Sequence, residues 1–64
     1  MIVPATTAMV TEAAQRLLAQ GEDLTRRTIH YAAQYLLLYD RAFAGCDYTQ
    51  LVSIVRLWQR GFAS

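Results

Sequence analysis

The chain has 64 residues, enough for one small domain and too few for a two-domain enzyme. Hydrophobic residues make up 55% of it and charged residues 17%, which is too apolar for an intrinsically disordered chain. The net charge of +1 selects no partner by itself.

The longest apolar run, Tyr35 to Tyr39, is far shorter than the ~20 residues of a membrane span. Met1 to Pro4 shows no basic stretch followed by an apolar one, so no signal peptide is indicated. A cytoplasmic protein without a membrane segment is the expectation. Cys46 is the single cysteine, so no internal disulfide staples the fold; it reads as a small, partly buried residue of a reducing compartment. One His and one Cys do not supply the four ligands of a structural zinc site, so neither metal nor other cofactor is expected. A domain of this size buries only ~60% of its unfolded surface. Oligomerisation is the remaining common source of stability.

The sequence reads as one helical domain over residues 1–64, beginning with an extended arm at 1–6. The first helix is predicted over about 8–20, with Thr7 as its cap. Met9, Val10, Ala13, Ala14, Leu17 and Leu18 form a single stripe there, and Gly21 supplies the stop. The second is predicted over about 26–44, capped by Asp23 or Thr25 and stopped by Gly45. It is apolar on two sides. Ile29, Ala32, Ala33, Leu36, Leu37 and Phe43 form one stripe; Tyr31, Tyr35, Leu38, Tyr39 and Ala42 form the other. The third is predicted over about 48–60, opened by Asp47 with Gln50 and stopped by Gly61; Leu51, Ile54, Val55, Trp58 and Phe62 make its apolar face. No strand pattern is present. The fold class is therefore all-α, a three-helix, helix-turn-helix-like domain. The wide apolar arcs of the second and third helices predict a homodimer packed through both, with Tyr31, Tyr35, Leu38, Tyr39, Trp58 and Phe62 at that interface or at a partner's.

Enzyme chemistry finds no support. His30, Ser53 and Asp40 or Asp47 make a triad on paper only, without a nucleophile elbow, and neither a phosphate loop nor a dinucleotide fingerprint occurs. No catalytic residue is assigned.

The start of the second helix carries chemistry of another kind. Arg26, His30 and Gln34 recur at i, i+4 and i+8, with Arg27 beside them. Arg and Gln pair bidentately with guanine and adenine edges, and a helix entered through a short turn is how a recognition helix meets a major groove. Arg16, Arg56 and Arg60 are then candidate phosphate contacts. The plainer alternative is a solvated face whose arginines pair with Glu22, Asp23 or a neighbour.

Val10-Thr11-Glu12-Ala13-Ala14-Gln15-Arg16-Leu17-Leu18-Ala19-Gln20-Gly21, followed by Thr25-Arg26-Arg27-Thr28-Ile29, resembles the start of the KfrA-type plasmid DNA-binding domain. That family has an alanine- and leucine-rich helix, a glycine, a threonine four residues on, then a helix with an early aliphatic. Gly45-Cys46 and Trp58 read as its Gly-Ser turn and its tryptophan, with Cys standing where the family has Ser. The resemblance covers residues 10–29 and implies an α-helical, dimeric DNA-binding regulator of a mobile element, a plasmid or a phage.

Two functions follow. One is a small non-enzymatic regulator that binds double-stranded DNA as a homodimer. The other is a protein-interaction module, an adaptor or an inhibitor of a host protein. Its motive is the surplus of exposed aromatic side chains, which with arginine dominate protein interfaces.

Overall fold

In a computed structural model, the structure describes the chain from Pro4 to Ala63, without the side chains of Phe62 and Ala63. The arm residues Met1 to Val3 and the predicted role of the Phe62 side chain therefore lie outside the described residues. Three α-helices follow one another: α1 (Thr7–Ala19), α2 (Ile29–Tyr39) and α3 (Tyr48–Ala63). Short 3-10 turns at Leu24–Arg26 and Arg41–Phe43 lie in the two connections, and no strand occurs among the described residues.

The first helix is capped one residue earlier than the sequence suggests. The Thr6 side chain accepts the Met9 amide at 3.2 Å from an extended backbone, leaving Thr7 as the first helical residue. The helix ends in a Schellman arrangement. The Gly21 amide donates to the Leu18 carbonyl at 3.0 Å, and the Glu22 amide reaches back to Leu17 at 2.9 Å. Gly21 adopts φ +92°, which only glycine takes without strain.

The second helix is shorter than predicted at both ends. The expected span of 26–44 is cut to 29–39 by three short polar residues that bond the backbone locally and so compete with the helix. Asp23 caps the turn at 24–26 rather than α2. Thr28, extended at φ −66° and ψ 158°, is the α2 cap and accepts the Tyr31 amide at 3.2 Å. At the other end Asp40 leaves the helical region at φ −109° and ψ 121°, and its carboxylate takes the Ala42 amide at 2.9 Å to start a new turn. Gly45 thus follows a 3-10 turn, not a helix. Phe43 to Cys46 form a type II β-turn, with Gly45 at φ +88° and the Cys46 amide donating to Phe43 at 3.0 Å.

The third helix starts as expected, with the Leu51 amide bonded to the Asp47 carbonyl at 2.9 Å. It does not stop at Gly61 but runs to Ala63.

The core gathers Val10 and Ala13 from α1, Ala32, Ala33 and Leu36 from α2, and Leu51, Val55 and Trp58 from α3. Leu24 and Phe43 enter it from the two 3-10 turns, and Ala5 and Cys46 close its edges. Fully burying a side chain such as Leu36 or Leu51 stabilises by about 1.5–3 kcal/mol. Packing makes α3 the central element, because it rests against both α1 and α2. Among the described residues, no helix is long and apolar enough to cross a membrane.

Candidate functional site

Two surfaces stand out, one basic and one aromatic. The basic one is assembled by Gln59. Its side-chain amide, on α3, donates to the Arg27 carbonyl at 2.8 Å and to the Leu24 carbonyl at 3.1 Å. That pair of bonds ties the connection before α2 to the C-terminal half of α3. It sets Arg26 and Arg27 beside the helix turns that carry Arg56 and Arg60, and all four arginines are exposed. Arg27 is further fixed by Glu22, whose carboxylate accepts its Nε at 2.8 Å, and its guanidinium lies 4.8 Å over the Tyr31 ring. The Glu22 hydrogen bond, then the Glu22 charge, raise the Arg27 pKa further above its ordinary range, so this group is a permanent cation. The turn itself is held by Asp23. Its carboxylate takes the Thr25 hydroxyl at 2.6 Å and the Thr25 amide at 3.0 Å, and the hydroxyl bond is the main reason its pKa lies below the usual 3.8.

The remaining residues of the predicted DNA set are dispersed. The helical register of Arg26, His30 and Gln34 does not form, because Arg26 lies in a 3-10 turn and α2 begins three residues later. His30 stays exposed at the start of α2 and shares a hydrogen bond of 3.1 Å with the Tyr48 hydroxyl of α3. Gln34 lines a groove among the tyrosines of α2. Arg16 donates to Asp40 at 2.9 Å, at the C-terminal end of α2. That end of α2 lies about 16 Å along the helix from its start, next to which the connection carrying Arg26 and Arg27 runs.

The aromatic surface is the outer face of α2. Tyr31, Tyr35 and Tyr39 follow at i, i+4 and i+8, with ring centroids 6.1 Å and 4.9 Å apart. Leu38 and Tyr39 are each 73% exposed, which is extreme for large apolar side chains. Open grooves flank the ladder on both sides. One, of 430 Å3, is lined by Tyr31, Gln34, Tyr35, Leu38 and Tyr39; the other, of 460 Å3, lies between Tyr35, Tyr39 and the Arg16–Asp40 ion pair. Trp58, predicted on this surface, is instead 5% exposed within the core, and is a packing residue. Its place at i+3 and i+7 from Val55 and Leu51 carries that signal in the sequence.

Sequence reasoning gave Gln59 no role. A lone amide on an apolar helix is indistinguishable from a solvated one until the connection it bonds is placed. Cys46 is free and buried, and burial pushes its thiol pKa up, away from the reactive thiolate. No group of three or more metal-ligating side chains occurs among the described residues. Comparison with protein-family models, with curated proteins and with solved structures finds no match to this chain.

Proposed function

We propose that the protein is a small, non-enzymatic DNA-binding regulator of a mobile element, acting as a homodimer. The observation that supports this reading is the Gln59 clamp, which ties the connection carrying Arg26 and Arg27 to the stretch of α3 that carries Arg56 and Arg60, all four of them exposed. Of these, only Arg27 is ion-paired among the described residues. Guanidinium groups suit phosphate because their planar donors match its oxygens bidentately. A dimer doubles the patch and offsets the low charge of a single chain. The helix-turn-helix-like reading of the three helices and the KfrA-type resemblance of residues 10–29 belong to the same proposal, and so do the cytoplasmic location and the absence of enzyme activity.

Fluorescence anisotropy with a mixed-sequence duplex tests it. Three or four phosphate contacts per chain, six to eight per dimer, lose about 10³- to 10⁴-fold in affinity between ~0.05 and ~0.2 M salt, and Arg26→Ala, which removes one contact from each protomer, lowers the salt slope by about 2. A chain that ignores DNA at low salt overturns the reading.

A second reading has its own observation, the face formed by exposed Tyr31, Leu38 and Tyr39 with half-buried Tyr35 between them. In this reading the chain is a protein-interaction module, an adaptor or inhibitor bound to a host protein through that face. A Tyr35→Ala variant that stays dimeric yet loses a captured partner supports it.

A further inference from the structure

We propose that the outward stripe of α3, and not the second helix, reads base edges in the major groove, with Arg56 as its central reader. The inference rests on the DNA-binding reading above and assigns specificity within it.

Thr49, Ser53, Arg56 and Arg60 recur at i, i+4, i+7 and i+11, which is one line along a helix, and all four are exposed. Gln50 and Leu57 run beside them and are exposed as well. No carboxylate occurs from Tyr48 to Ala63, so the line meets a polyanion with no opposing charge on its own element. Its chemistry is that of base readers: guanidinium for guanine, amide for adenine, hydroxyls for either, and an apolar Leu57 for a thymine methyl.

The backing is rigid. Leu51, Val55 and Trp58 seat the opposite side of α3 in the core against α1 and α2. A helix some 10–12 Å across fits a major groove about 12 Å wide. The Gln59 clamp brings Arg26 and Arg27 alongside the same stripe, where the phosphate backbone would pass. The outer face of α2 offers nothing comparable. Between Ile29 and Tyr39 it has no arginine, Gln34 is a single exposed amide among outward tyrosine and leucine side chains, and His30 is bonded to Tyr48.

The test is selection from a randomised duplex pool, followed by sequencing of the bound fraction. The expected result is an enriched motif for the native protein. Arg56→Lys, which keeps the charge and loses the bidentate fork, then reduces the preference at one base position by at least about fivefold while retaining binding to the pool. Arg26→Ala weakens all sequences alike. Both positions are exposed, and circular dichroism verifies that each variant is folded. A motif that survives both Arg56→Lys and Gln50→Ala overturns α3 as the reader and leaves DNA binding standing. Salt-dependent binding with no motif also overturns base reading, leaving contact with the backbone alone. A protein that binds no duplex at any salt removes the DNA-binding reading and this inference with it.

Discussion

The Thr28 side-chain oxygen accepts the Tyr31 amide 3.2 Å away, and that bond sets where α2 begins. Asp40 does the corresponding work at the far end, where its carboxylate draws the Ala42 amide into a separate turn. Both side chains satisfy a backbone donor that a helix end leaves without a partner. Thr28→Ala is therefore expected to destabilise the fold by about 1 kcal/mol, measured by urea denaturation, without moving the core. Thr28→Asn, which keeps an acceptor at the cap, is expected to stay within a few tenths of the native value. The sequence pattern places the cap of this helix at Asp23 or Thr25, and the structure places it at Thr28, with Asp40 ending the helix. What was not legible is that Thr28 and Asp40 would prevail over a run of good helix formers from Arg26 to Ala44.

At the scale of elements, α3 organises the molecule. Its buried side closes the core, and its Gln59 amide reaches the Leu24 and Arg27 carbonyls, so one helix both packs the domain and positions the basic connection. Gln59→Leu deletes both donors, and Gln59→Glu keeps the shape while putting an acceptor where a donor is needed. Each is expected to cost about 1–2 kcal/mol of stability. Each is also expected to weaken duplex DNA binding by about tenfold in anisotropy titrations, because Arg26 and Arg27 lose their fixed position. DNA affinity unchanged in both folded variants would detach the clamp from function. The prediction of a second helix spanning 26–44 obscured this arrangement. A continuous helix would have put Arg26 and Arg27 on its own face, whereas the break at Arg27 and Thr28 leaves them on a connection that α3 holds.

On the scale of the whole molecule, a chain with principal extents of 32 × 24 × 18 Å leaves large apolar side chains exposed on each helix, Leu18 on α1, Leu57 on α3 and a cluster on α2. Trp58, Leu51 and Val55 are absorbed by the core, so much of the surplus that the third helix shows in the sequence is used within one chain. The largest such cluster is Tyr31, Leu38 and Tyr39 with half-buried Tyr35, which narrows the proposed dimer interface to α2. Leu38→Glu sets a charge in the middle of it. Light scattering is expected to show a dimer for the native chain and a monomer for the variant, because burying an unpaired carboxylate in the seam is costly whereas burying Leu38 there is favourable. Equal masses for the two proteins would exclude this face as the seam.

The sequence by itself determined the all-helical class, the order of three helices, the Gly21 stop and most of the core. These follow from the period of apolar side chains and from local backbone preferences, which act over a few residues. It also marked Tyr31, Tyr35, Leu38 and Tyr39 as a second apolar stripe. Tertiary structure alone decided which surplus apolar side chains stay exposed, that α3 packs against both other helices, and that the connection before α2 is tied to α3. Whereas the local Arg27–Glu22 pair was among the alternatives the sequence offered, Arg16 finds Asp40, 24 positions on, and Gln59 joins residues 32 and 35 positions away in the chain. Such contacts depend on how helices are placed against one another in space, and no local periodicity encodes that placement.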